Sequence, residues 1–229
     1  MKIFCVEVEA PLACFTRPEL KVERMSYDIP TPSAIKGVFD AIFWKPAIKW
    51  IPVRMQVINP IKFISIKRNE VKKAASTKKD GFNIEEHRTQ RSSLILEDVK
   101  YRFWARFEYI ESQNRVYASS PKKAIEESDE RERGESPDKY YAIFLRRASR
   151  GQCFHQPYLG CREFSCSFEL VDPESNPAQS NVGEEYRDLG IMVYDTDYST
   201  KPVSSSLYRP VMKDGFVEIP HPESNEVYR

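Results

Sequence analysis

The run from 94 to 110, LILEDVKYRFWARFEYI, constrains the fold more than any other part of the chain. Tyr101, Phe103, Ala105, Phe107 and Tyr109 fall on one side of an extended backbone. Lys100, Arg102, Trp104, Arg106 and Glu108 fall on the other. Strict alternation matches the two-residue period of a strand, and no helix could gather either set on one face. The segment is therefore read as a long strand with one face turned to a core.

The remaining elements are placed around it. Residues 2–10, KIFCVEVEA, alternate and predict an opening strand; an irregular stretch follows over 11–30. Thr31-Pro32 reads as an N-cap followed by proline at the first helical position, and Ala34, Ile35, Val38, Phe39, Ala41 and Ile42 share one helical face. That helix must end by Pro46. Residues 49–71 read as extended segments punctuated by proline, 72–90 as a polar, basic excursion, and 119–138 as a loop or solvated helix start. A second helix spans 139–150 and stops at Gly151, and 159–171 is expected to be a strand. The first 171 residues thus spell β-α-β-β-α-β, the ferredoxin-like (RRM-like) order found in many RNA-binding domains. A break rich in Pro, Ser and Asn opens residues 172–229, expected to form a small antiparallel β appendage. The fold class is α+β.

Composition excludes several alternatives. With 41% hydrophobic and 30% charged residues, the 229-residue chain can bury a core. No stretch approaches the ~18 apolar residues of a membrane helix, and Glu7 comes too early for a secretory signal. A cytoplasmic protein without membrane contact is expected. Five cysteines, an odd number, point to free thiols. Cys153, His155, Cys161 and Cys166 lie close in sequence. They lack C-x-x-C spacing, and on the expected strand Cys161 and Cys166 would face opposite sides, so neither a metal nor a cofactor is expected. Phosphate-loop, dinucleotide and nucleophile-elbow motifs are absent, and Asp195 and Asp197 read as turn residues.

The net charge of +1 hides a strong segregation. Residues 45–106 carry 15 Lys/Arg against 6 Asp/Glu, residues 139–158 carry 4 against none, and residues 159–229 carry 6 against 13. Two cationic central segments suit a polyanion. On the second helix Lys139, Arg146, Arg147 and Arg150 form a stripe opposite Tyr141, Phe144, Leu145 and Ala148. Guanidinium forks match phosphate, and the lysine offers a point charge. At the end of the first helix Phe43 and Trp44 lie outside the apolar face beside Lys45. Aromatics so placed either stack on unpaired bases or pack against neighbouring segments.

Several motifs then become recognisable together. They are Phe15-Thr16-Arg17-Pro18-Glu19, Lys21-Val22-Glu23-Arg24, Ser26-Tyr27, Thr31-Pro32-Ser33-Ala34 with Gly37, and Trp44-Lys45-Pro46-Ala47-Ile48. Pro60-Ile61, Ile66-Lys67-Arg68-Asn69-Glu70, Gly151-Gln152-Cys153-Phe154, Pro157 and Leu159-Gly160-Cys161-Arg162-Glu163-Phe164 complete the set. In combination they resemble the subtype I-C (Dvulg) variant of the CRISPR-associated Cas-five proteins. The resemblance implies a metal-independent endoribonuclease that cuts CRISPR repeat RNA beside its hairpin. Such an enzyme stays on the 5′ handle and joins the backbone and large subunits of a surveillance complex, with possible DNA contact. A binding subunit that caps the handle without cutting is the alternative. The family pattern places Tyr or His just before Trp-Lys-Pro and a Lys-His pair at the opening of the second helix; here those positions hold Phe43 and Lys139-Tyr140. The catalytic positions implied are therefore Lys139, Tyr140 and Phe43, the last by position only. His155, Tyr141 and Tyr27 are candidate substitutes for proton transfer. Trp44, Lys45, Arg146, Arg147 and Arg150, with the motif cations Arg17, Lys21, Arg24 and Arg68, are expected to contact RNA.

Overall fold

Alternation in the central run becomes β4 (Arg88–Tyr109), the longest strand of an α+β structure. The computed structural model describes residues 2–20, 22–73, 81–111, 136–183, 186–198 and 201–229. Of the polar stretches expected over 72–90 and 119–138, positions 74–80 and 119–135 lie outside the described residues.

Three strands pair with β4, all antiparallel. β1 (Phe4–Ala13) aligns Val6 with Phe103, β2 (Ile48–Val57) aligns Trp50 with Phe107, and β3 (Lys62–Val71) pairs with the first half of β4. Pro52 sits in β2 beside a register shift between Pro52 and Arg54, where the ladder can dispense with its missing N–H. β5 (Ser167–Val171) joins the other edge of β1. It is much shorter than the strand expected over 159–171. Residues 159–166 turn instead, with Leu159 N–H donating to the Phe164 carbonyl and Phe164 N–H to the Cys161 carbonyl.

The tail supplies strands to two sheets. β7 (Met192–Asp197) and β8 (Ser204–Tyr208) form their own antiparallel hairpin. β6 (Tyr186–Asp188), β9 (Val211–Lys213) and β10 (Phe216–Glu218) instead continue the main sheet through β2, giving the order β5-β1-β4-β2-β10-β9-β6. Tail residues Met192, Tyr208, Met212 and Val217 share one buried cluster with Val6, Phe39 and Phe103.

Among the described residues, two α-helices cover one face of the sheet. α1 (Pro32–Ile42) begins where the Thr31 hydroxyl accepts from Ala34 N–H at 3.2 Å, with Pro32 at the first position. α2 (Pro137–Ala148) begins the same way, from Ser136 and Pro137, and ends at Gly151, whose φ of +63° suits glycine. Between helices and sheet lies Trp50, whose ring centroid is 4.9 Å from Phe39, 4.7 Å from Phe144, 5.3 Å from Phe107 and 6.0 Å from Phe4. Its indole N–H donates to the Phe43 carbonyl at 2.8 Å.

The opposite face is covered by residues 172–182. Arg102 is only 3% exposed. Its guanidinium pairs with Glu7 at 2.7 Å and donates to the Asn176 carbonyl at 2.7 Å. The Gln56 amide donates to the Ala178 carbonyl at 2.8 Å. Burial of a charge is tolerated here because the ion pair and carbonyl satisfy it.

Replacing Trp50 with Phe should cost about 2–3 kcal/mol, from the unfilled indole volume and the orphaned Phe43 carbonyl. Urea unfolding checks this; a loss below about 0.5 kcal/mol would show that the indole does not tie α1 to the sheet.

Candidate nucleic-acid interface

The end of α1, the outer side of α2 and the loop after α2 meet at one corner of the molecule. Helix α1 stops because Phe43 takes an extended backbone, φ −154° and ψ 113°, while its N–H still donates to Phe39. That turn sends Phe43 inward, 1% exposed, and Trp44 outward, 54% exposed. Lys45 is exposed beside it. On α2, Lys139 stands exposed in the first turn, and Arg146 and Arg150 are exposed toward its end. Arg147 is half-buried, its guanidinium carbon 5.2 Å from the centre of the Phe43 ring. The Phe43 ring in turn lies 6.0 Å from Tyr140, and Tyr140 lies 6.1 Å from Tyr109.

The loop after α2 closes the corner. Phe154 N–H and His155 N–H both donate to the Ala41 carbonyl, at 2.8 and 3.2 Å, satisfying an end of α1 that has no helical partner. Phe154 is 74% exposed, and His155 is exposed next to it. Exposed cations, two exposed aromatics and an imidazole are thus brought together from positions 44–45, 139–150 and 154–155. Such a set can hold phosphates, stack bases and transfer a proton.

Several expected residues are placed differently. Tyr140 is 2% exposed and faces the core, not the outside of α2. Phe43 likewise packs inside, because Trp50 and Arg147 clasp it from two sides. Leu145, expected on the packed face of α2, is exposed, while Tyr141 is stacked on Phe107 at 4.3 Å. Tyr27 is buried beside the β7–β8 hairpin, and burial raises its phenol above the ordinary range. Of the three candidate substitutes for proton transfer, His155 alone is exposed.

The motif cations serve the fold. Arg17 lies 4.7 Å over the Tyr27 ring and pairs with Asp28 at 3.8 Å. Arg24 and Arg68 converge on Glu163, at 3.4 and 2.5 Å. None of the three belongs to the α1–α2 corner. Lys21 lies outside the described residues.

Against α1 on its other side, the β7–β8 hairpin and β2 enclose a cleft of about 610 Å³ that includes Lys36, Lys49, Asp195, Asp197 and Arg229. Lys36 pairs with Asp195 at 3.9 Å. The neighbouring Asp40 is driven by burial to a pKa of about 6, with Lys36 opposing and Asp195 adding to the shift. No local pattern signals this, since the hairpin that buries Asp40 begins some 150 positions later. Among the described residues no three His, Cys, Asp or Glu side chains gather as metal ligands. No helix among them is long and apolar enough to cross a membrane.

With this geometry in hand, known proteins supply relatives. The family model for CRISPR-associated protein Cas5 (the Cas5d model) matches residues 3–220. The CRISPR pre-crRNA endoribonuclease Cas5d of Mannheimia succiniciproducens is 38% identical over 232 residues, covering 95% of this chain and 94% of its own. The protein of the same name from Thermus thermophilus is 33% identical over 242 residues, covering 98% and 94%. Two crystal structures share the fold over 100% of this chain and 97% of theirs. One is a CRISPR-associated protein with TM-score 0.67 and 24% identity. The other is the functionally uncharacterized SMU1763c from Streptococcus mutans, with TM-score 0.66 and 22% identity.

Asp40 should make stability depend on pH. Its folded pKa, about 6, exceeds the ordinary 3.8, so the folded state holds the proton more tightly than the unfolded chain. That stabilisation is complete below pH 3.8 and is lost as pH rises through about 6. Asp40→Asn should therefore gain about 1–2 kcal/mol at pH 7 and flatten the profile between pH 4 and 6. Urea midpoints across that range test it; equal profiles for both proteins would refute the burial of this carboxyl.

Proposed function

The chain belongs to the CRISPR-associated Cas5 family, and on that footing we propose that it is a pre-crRNA endoribonuclease acting in the cytoplasm. The observation that carries this reading is the corner where Arg147 lies over the Phe43 ring, itself beside Tyr140, while Lys139, Trp44 and His155 stand exposed. Two helices on one face of strands ordered β5-β1-β4-β2 support a ferredoxin-like platform for it. Residues 1–171 form the processing unit on this reading, and residues 172–229 its β-rich extension.

The reaction needs no metal in this scheme. The 2′-oxygen attacks the adjacent phosphorus as its proton leaves to a base. The bond from phosphorus to the 5′-oxygen breaks, and that oxygen takes a proton, leaving a 2′,3′-cyclic phosphate and a 5′-hydroxyl. Lys139 and Arg147 stabilise charge developing on the phosphorane, and the His155 imidazole transfers protons. Phe43 and Tyr140, being buried, position Arg147 from beneath. Trp44 stacks an unpaired base of the repeat. After cleavage the protein holds the 5′ handle as a subunit of a type I-C surveillance complex with its backbone and large subunits.

Incubating the protein with its repeat RNA in EDTA tests the scheme. Cleavage should proceed and leave a cyclic phosphate, and a 2′-deoxy sugar at the cut site should abolish it. Lys139→Ala and His155→Ala should each slow single-turnover cleavage by ~10²-fold or more, with RNA affinity changed far less. Activity lost in EDTA and restored by magnesium would defeat the metal-free scheme. The burial of Phe43 and Tyr140, which leaves no ionisable group exposed at either position, favours a second reading, a handle-binding subunit that does not cut. Tight RNA binding without product identifies that case.

Binding itself should be salt-dependent. Removing Arg146 and Arg150 together should lower the slope of log affinity against log salt by ~0.7 for each phosphate that the variant no longer neutralises. An unchanged slope would mean that the outer side of α2 is merely solvated.

A further inference from the structure

The Leu159-Gly160-Cys161-Arg162-Glu163-Phe164 motif lies away from the α1–α2 corner and takes no part in the scheme above. It builds a second chemical site. Gly160 has φ +83°, and a Cβ there would stand 2.0 Å from the Cys14 carbonyl oxygen, so only glycine lets this turn lie so close to the end of β1. Cys14 N–H donates to the Leu159 carbonyl at 3.1 Å, which fixes the register. The Cys161 thiol is thereby held against Cys14, its Sγ 3.5 Å from the Cys14 carbonyl oxygen.

The groups around the pair favour a thiolate at Cys161. The Thr16 hydroxyl lies between the thiols, 3.5 Å from Cys14 Sγ and 3.7 Å from Cys161 Sγ. Arg24 Nη1 donates to Cys161 Sγ at 3.7 Å. Opposing them are Glu163, tied back by Arg24 and Arg68, and the Cys14 carbonyl, 3.5 Å from Cys161 Sγ, which accepts the thiol proton while it is present. The balance holds Cys161 below the ordinary thiol range, chiefly through the Cys14 side chain, while Cys14 is pushed up. Cys14 is fully buried, whereas Cys161 is part-exposed. Of the other thiols, Cys5 and Cys166 are buried and raised by burial, and Cys153 is part-exposed.

We propose that Cys161 is a peroxide-reactive thiol and that Cys14 is its resolving partner. The Cys161 thiolate attacks one oxygen of a hydroperoxide, the O–O bond breaks, and Cys161 sulfenic acid and the alcohol (or water) result. The Cys14 thiol then attacks the sulfenic sulfur, a molecule of water leaves, and a Cys14–Cys161 disulfide joins the turn to the end of β1. Two electrons pass from the thiols to the peroxide. Thiol reductants reverse the change by exchange.

Alkylation and peptide mapping of the full-length protein test this. With limiting iodoacetamide at pH 7, Cys161 should be labelled ~10-fold or more faster than Cys153, and Arg24→Gln should slow Cys161 several-fold without affecting Cys153. One equivalent of hydrogen peroxide should then yield a non-reduced peptide cross-linking Cys14 to Cys161, reversible by dithiothreitol. In Cys14→Ser, dimedone should instead trap sulfenic acid at Cys161. Equal labelling of Cys161 and Cys153 would overturn the proposal, as would a cross-link through any other cysteine or no oxidised product in the wild type. The wild-type measurements decide the matter even where Cys14→Ser fails to fold, and none depends on RNA cleavage.

Discussion

The hydrogen bond from the Trp50 indole to the Phe43 carbonyl is the point from which the rest of the site follows. It joins a strand of the central sheet to the residue that ends α1. Because the donor is buried among Phe4, Phe39, Phe107 and Phe144, the bond is shielded from water, and the helix end has one position relative to the sheet. With Phe43 anchored inward by its carbonyl, extended geometry sends Trp44 outward. An aromatic and a lysine are thus projected from a helix end that would otherwise fray.

The same anchor shapes α2. Arg147 cannot swing freely as Arg146 and Arg150 can, since its guanidinium rests on the anchored ring. A cation placed over an aromatic face and partly withdrawn from water gains attraction and loses rotamer freedom before any ligand arrives. Arg147 is thereby preorganised, while its exposed neighbours act through long-range charge. The docking of Phe154 and His155 on the Ala41 carbonyl serves the loop in the same way. The loop after α2 reaches the corner by satisfying the Ala41 carbonyl, and α2 reaches it by resting Arg147 on the Phe43 ring.

Much of this was legible in sequence, for local reasons. β4 follows from its alternation, α1 from Thr31-Pro32 and its apolar spacing, and the stop of α2 from Gly151. Helix periodicity failed at Leu145, set on the packed face yet exposed, because a wheel treats the helix as isolated; Tyr140, expected at the site from the family pattern, is buried because Tyr109 and Phe43 close over it from elsewhere. Arg17, Arg24 and Arg68 looked free because their carboxylate partners, Asp28 and Glu163, are chosen by the fold. The turn at 159–166 has apolar spacing that also fits a strand, and only the approach of Gly160 to Cys14 distinguishes the two. Charge segregation pointed correctly to cationic segments but could not say which cations the fold itself consumes.

The far side of the sheet carries a consequence of another kind. Arg102 and Gln56 hold residues 172–182 by the main-chain carbonyls of Asn176 and Ala178, not by their side chains. Every amino acid offers the same carbonyl. Side chains at positions 176 and 178 can therefore change without loosening the grip, so long as the path of the segment is kept, whereas Arg102 and Gln56 have no such latitude.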